Sequence, residues 1–162
     1  MSFIFMTEIE RKFLTQSDAF KTEASRSFRI KQGFLNTDPE RTVRVRLKGQ
    51  QGFITVKGKS SEDGLLRFEW EKEISKTEAE SLLLLCERGV IDKMRYEVPY
   101  GNHIVEVDEF FGDNVGLVVA EIELNHPTEI FKKPQWLGEE VTGQVKYYNA
   151  QLSKEPYNTW KK

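Results

Sequence analysis

Glu8, Glu10 and Lys12 stand at alternate positions in Glu8-Ile9-Glu10-Arg11-Lys12. Side chains of an extended strand alternate between its two faces, so all three share one side. Carboxylate oxygens are the ligands that Mg2+ and Mn2+ prefer, and an adjacent lysine suits the phosphate that travels with such ions. The spacing therefore fits a metal-phosphate site. A solvated edge strand would alternate its charges in the same way, so this stretch gains meaning only from the rest of the chain.

Further strands must position these groups. Residues 27–35, 42–48, 53–59 and 65–74 each alternate and are separated by turn signals at Asn36-Thr37-Asp38-Pro39, Gly49-Gln50-Gln51-Gly52 and 60–64. The period then changes. Two overlapping capping boxes beginning at Ser75 and Thr77 precede Ala79, Leu82, Leu83 and Cys86 at helical spacing, which predicts a helix to Gly89 whose leucines lie on a sheet. Strands resume around Lys93, Arg95 and Glu97, then at 103–111 and 117–124. A short helix before Arg26, capped by Ser17, a brief one at 129–131 and a closing one at 144–153, capped by Thr142, complete the expected elements.

With 162 residues, the chain has the length of one domain with a sizeable core. Its 24 Lys and Arg against 26 Asp and Glu leave a net charge of -2, which gives no bulk field for nucleic acid or an anionic membrane. A polyanion must be met by locally sorted charge. The single Cys86 excludes an intramolecular disulfide and a cysteine-based zinc site, and it lies on the apolar helix face as core. No stretch reaches the length of a membrane span and no signal peptide is visible, so the cytoplasm is the expected location. Met6 directly precedes the first strand, and residues 1–5 read as an upstream extension, 6–154 as the domain and 155–162 as a C-terminal tail.

Sorting the strands by parity gives nearly every one an apolar face and a charged face. The charged faces carry Lys12, Arg44, Arg46, Lys57, Arg67, Lys93 and Arg95 together with Glu8, Glu10, Glu69, Glu71, Glu106, Asp108, Glu121 and Glu123. About eight strands joined by short turns suit an antiparallel barrel or a strongly curled sheet, in an α+β, mainly β, chain. Two arrangements are open. In one, apolar faces point inward and the charges are solvated; in the other, the charges line a tunnel and helices cover the apolar faces outside. The predicted helix needs an apolar sheet to cover, which favours the second.

The motifs as an ordered set resemble the CYTH proteins, also called triphosphate tunnel metalloenzymes. The resemblance rests on Glu8-Ile9-Glu10-Arg11-Lys12-Phe13-Leu14, Ile30 to Leu35, Arg44-Val45-Arg46, Thr55-Val56-Lys57, Arg67 to Glu71, Lys93-Met94-Arg95-Tyr96, Glu106-Val107-Asp108, Glu121-Ile122-Glu123, Gly138 to Thr142 and Tyr147-Tyr148-Asn149. It implies an eight-stranded antiparallel closed β-barrel, a tunnel with a charged interior and helices packed outside. It also implies hydrolysis of a triphosphate, inorganic triphosphate first, by metal-activated water at the terminal phosphorus. Two departures stand out: Phe34 occupies a position where a tyrosine is usual, and Gly143-Gln144-Val145-Lys146 replaces a more acidic, arginine-bearing approach to the last helix.

On this reading Lys12, Arg44, Arg46, Lys57, Arg67, Lys93 and Arg95 bind phosphoryl oxygens, through arginine forks and compact lysine charges. Glu8, Glu10, Asp108, Glu121 and Glu123 are the expected ligands of Mg2+ or Mn2+, with Glu69, Glu71 and Glu106 behind them. Lys12, Arg46, Lys57 and Glu10 are expected to be catalytic. The expected partner is a small-molecule triphosphate, with no nucleic acid and no membrane, and a homodimer is left open. His103 and His126 read as surface histidines, and Trp70, Trp136 and Tyr148 as packing groups. The alternatives are a class IV type adenylate cyclase, for which no adenine pocket is legible, and a non-catalytic polyphosphate-binding module, which would not need the acids.

Overall fold

In the computed structural model the chain is described at residues 4–5, 9–60 and 67–161. Along it run β1 (Ile4–Phe5), β2 (Ile9–Thr15), α1 (Phe20–Glu23), β3 (Arg26–Asn36), β4 (Arg41–Lys48), β5 (Gln51–Ser60) and β6 (Arg67–Ile74). There follow α2 (Lys76–Leu83), β7 (Ile91–Tyr100), β8 (His103–Phe110), β9 (Val118–Leu124), β10 (Leu137–Glu140) and α3 (Asn149–Lys154). The fold is mainly antiparallel β with few helices. No helix among the described residues is long and apolar enough to cross a membrane.

The chain divides into two compact units, one of residues 1–7 and 29–92 and the other of 8–28 and 93–162. In the first, the strands run in the order β1-β6-β5-β4-β3. Gly49, at φ +59°, lets β4 and β5 meet across a tight turn, with Lys48 opposite Gln51. Ser75 caps α2 through both halves of a capping box, its hydroxyl accepting from Glu78 N–H while the Glu78 carboxylate accepts from Ser75 N–H. The helix lies on β4 and β5 as expected. It ends sooner, at Leu83, and Leu84 and Leu85 are 87% and 73% exposed, so only part of the leucine run covers the sheet. Contact with the sheet is close: a Cβ added to Gly52 would stand 2.8 Å from Ala79 Cβ and 2.9 Å from the Ser75 carbonyl.

In the second unit the order is β7-β8-β9-β2-β10. Phe13, Val98, Val105, Val107, Ala120 and Ile122 form one apolar face, covered by Phe20 of α1 and by Trp136 and Leu137. Phe20 meets Tyr96 and Trp136 edge-on at 5.4 and 5.7 Å between ring centres. Trp136 is therefore core, as read from the sequence.

Hydrogen bonding corrects the expected eight-stranded closed barrel. More than eight strands are present, and within each unit the ladder is an open run with two end strands. The reason lies at two edges. Ile4–Phe5, within the expected extension, pairs with β6, and Leu137–Glu140 pairs with β2. Around them the helix expected at 129–131 is irregular chain. The closing helix starts at Asn149 after a 3-10 turn at Val145–Tyr147, and Thr142 hydrogen-bonds the Lys12 backbone instead of capping it.

Gly52→Ala should destabilise the protein by about 1 to 3 kcal/mol through overpacking against α2. Adding Ala79→Gly should make the double variant less destabilised than the sum of the two single ones, as measured by denaturant unfolding. Strict additivity would separate Gly52 from the helix contact.

Candidate functional site

The apolar face of the second unit is covered, and the opposite face of the same strands carries the charges. Three of these are withdrawn from solvent. Lys93 is 0% exposed, Asp108 2% and Arg95 9%, so this part of the charged side is buried, while Glu123 is exposed. Charges buried to this degree persist only when each is paired.

Register supplies the pairing. On β7 and β8, Arg95 stands opposite Asp108, and its Nε and a terminal nitrogen donate to the two Asp108 oxygens at 2.8 and 2.9 Å. The other terminal nitrogen reaches Glu106 at 3.0 Å. Lys93 Nζ lies 2.8 Å from Asp108 and 3.0 Å from Asn149 Oδ1. Burial works against ionised Asp108, but Lys93 and Arg95 outweigh it and hold its carboxyl well below the usual range. Burial likewise opposes the Arg95 charge and is overcome by Asp108 and Glu106, which raise its pKa. For Glu106 burial wins over Arg95, and its pKa rises.

On β2 and β9, Lys12 stands opposite Glu121 and Glu10 opposite Glu123. Lys12 Nζ is 2.6 Å from Glu121 and 3.9 Å from Glu10. Burial disfavours the Glu121 charge, yet a hydrogen bond with Glu10 and the Lys12 ammonium hold its pKa below the ordinary value. A cavity of about 360 Å3 opens here, lined by Glu10, Lys12, Thr142, Gly143, Tyr148 and Asn149. Exposed Glu123 lines a different cavity of about 650 Å3 with Glu97, Glu106, His103 and Glu129. His103 is not a free surface histidine: it pairs with Glu129, which also accepts from Asn125 N–H.

The first unit holds a second charged set. Arg46 Nε donates to Gln32 Oε1 at 2.9 Å, and Arg44 approaches Thr55 Oγ1 at 3.4 Å and Glu71 at 4.0 Å. Thr55 donates to Glu71 at 2.9 Å, and Lys57 stands opposite Glu69 in the ladder. Gln32 was not anticipated as a site residue. Its register partner is Arg46 and that of Phe34 is Arg44, so the side of β3 read as apolar from its sequence adjoins arginines, while Gly33 faces Cys86 on the helix side. A glutamine in an otherwise apolar alternation was the available signal. Glu8 and the side chain of Arg67 lie outside the described residues.

The CYTH domain profile matches residues 6–157. The chain belongs to the CYTH family. A protein of Acetivibrio thermocellus named inorganic triphosphatase is 46% identical over 155 residues, covering 95% of this chain and 97% of the relative. An inorganic triphosphatase of Nitrosomonas europaea is 36% identical over 154 residues, covering 91% and 97%. The crystal structure of an inorganic triphosphatase superposes with a TM-score of 0.70 at 30% identity, covering 91% of this chain and 95% of that one.

Asp108→Ala leaves two buried cations without their shared carboxylate and should cost about 3 to 5 kcal/mol in denaturant unfolding. The pH dependence has a definite sign. Folding depresses the Asp108 pKa below its ordinary 3.8, so its contribution is complete well above that value and is lost as the pH falls through the folded-state pKa. Wild-type stability should therefore fall between about pH 5 and pH 2. Asp108→Asn should show a shallower fall.

Proposed function

We propose that this CYTH protein hydrolyses inorganic triphosphate with the help of a divalent cation and releases orthophosphate from the terminal phosphorus. The reading is carried by Lys12, whose ammonium lies 2.6 Å from Glu121 and 3.9 Å from Glu10. At that point phosphate-binding charge and oxygen donors for a hard cation meet. Two relatives matched over nearly their full length bear the name inorganic triphosphatase, which supports the same substrate.

Donor chemistry fits Mg2+ or Mn2+. Glu10, Glu121 and Glu123 offer only oxygen, and the β2–β9 register sets Glu10 opposite Glu123 two residues from the Lys12–Glu121 pair. Among the described residues no three such groups form a ready-made cage, so the carboxylates must turn away from their present partners. Glu8 is assigned to this set from its spacing with Glu10 and Lys12 and from the family resemblance. When bound, the cation supplies neutralisation of phosphoryl charge and an activated water.

The protein's own part is positioning and electrostatics. Triphosphate oxygens displace Glu121 from Lys12, so one exchange both clamps the substrate and frees a carboxylate. Arg95 and Lys93 bind further oxygens. Both Asp108 oxygens are engaged by those two cations, and Asp108 is assigned to holding them rather than to the metal. Arg44, Arg46, Lys57 and Arg67 are assigned as phosphoryl ligands on the family resemblance, with Glu71 and Gln32 orienting Arg44 and Arg46. The tunnel enclosure belongs to this proposal, as does a cytoplasmic location.

Incubation of inorganic triphosphate with Mg2+ or Mn2+ should release orthophosphate, and excess EDTA should abolish the release. ATP should yield orthophosphate without cyclic AMP. Stoichiometric cyclic AMP and pyrophosphate would transfer the assignment to a cyclase, and full activity in EDTA would end the metal-dependent reading. Glu10→Ala should lower kcat about a hundredfold or more while leaving cooperative unfolding intact.

A further inference from the structure

Residues 142–149 approach the charged face of the second unit, and two adjacent side chains at the end of this segment meet two different lysines. Lys12 Nζ lies 5.3 Å from the centre of the Tyr148 ring, and Asn149 Oδ1 accepts from Lys93 Nζ at 3.0 Å. Asn149 opens α3, where its carbonyl accepts from Ser153 Oγ at 3.0 Å. The helix holds its backbone, and its amide side chain is spent on Lys93.

An ammonium donates in three directions, and a single carboxylate leaves it free to swivel. Asp108 and Asn149 together fix the direction of the buried Lys93. They differ in one respect: Asp108 neutralises the lysine, whereas the neutral amide orients it and leaves its charge to attract an anion. The segment that presents Asn149 is itself braced. Tyr147 packs edge-on against Trp160 at 5.3 Å, Trp160 against Tyr157 at 5.0 Å, and Tyr157 N–H donates to Asn114 Oδ1 at 2.8 Å. Tyr157 and Trp160 are thus structural support for the segment that carries Asn149.

We propose that Asn149 is a positioning residue that aims the Lys93 ammonium at a phosphoryl oxygen of the triphosphate. This rests on the reading of Lys93 as a phosphoryl-binding cation.

Asn149→Ala, Asn149→Leu and Asn149→Asp separate the possibilities. Leu keeps the volume without an acceptor, and Asp keeps the acceptor with an added charge. Binding of inorganic triphosphate should be followed by titration calorimetry in EDTA, and kcat and KM measured with Mg2+. The Ala and Leu variants should bind about tenfold more weakly and lose about ten- to a hundredfold in kcat/KM. Asp should recover most of the kcat lost by Ala while its KM stays raised. Wild-type behaviour of the Leu variant, or an Asp variant no better than Leu in kcat, would overturn the proposal.

A cycle guards against a general loss of structure. In a Lys93→Met background, Asn149→Ala should change the Kd for triphosphate less than about twofold, whereas a further full tenfold loss would show that Asn149 does not act through Lys93. Failure of the wild-type protein to release orthophosphate would remove the hydrolytic reading, and the calorimetric comparison would still decide the role of Asn149.

Discussion

Asp108 binds two cations at once, and the charged side of the second unit depends on it. A lone aspartate with 2% exposure would be neutral, and a lone lysine with none would shed its proton. Together with Arg95 they form a triad in which both carboxylate oxygens are engaged and the two cations keep the buried acid ionised. The triad fixes the two cations on β7 relative to β8. It also leaves the apolar side of those strands free to pack on Phe20 and Trp136. One face of these strands is thus apolar and the other carries a buried ionic cluster.

The alternation of β2, β7, β8 and β9 was legible because period two is a local property, and the separation of Lys12, Lys93, Arg95 and Glu121 from the core follows it. Partnership was not legible. Which acid meets Lys12 depends on the register of β2 against β9, strands more than a hundred positions apart in sequence, and no local pattern states that register. Asp108 was expected as a metal ligand on the family reading, and in the structure its neighbours on β7 engage both oxygens. Nothing in Glu106-Val107-Asp108 alone distinguishes a carboxylate that will be occupied from one that will be available.

Other departures have equally local causes. Leu137–Glu140 is too short and glycine-containing to carry a strand pattern, and it acquires its conformation from the edge of β2. In β3, Phe34 and Gln32 stand beside Arg44 and Arg46, so an apolar alternation marks the arginine side of the strand. The capping box at Ser75 could be read directly because its whole logic spans four residues. Asn149 could be noticed only as part of a recurring motif, since its partner lies 56 positions away.

The salt bridge between Lys12 and Glu121 has a further meaning when the face is regarded as an ion exchanger. Its cations arrive already loaded with tethered counter-ions, which no dilution washes out. A singly charged anion from the medium offers one contact and must compete against a carboxylate held at high local concentration, so it gains little. On the proposed function, a chain of linked phosphates displaces several tethered acids in one event, and the threshold for loading is thereby set by valence.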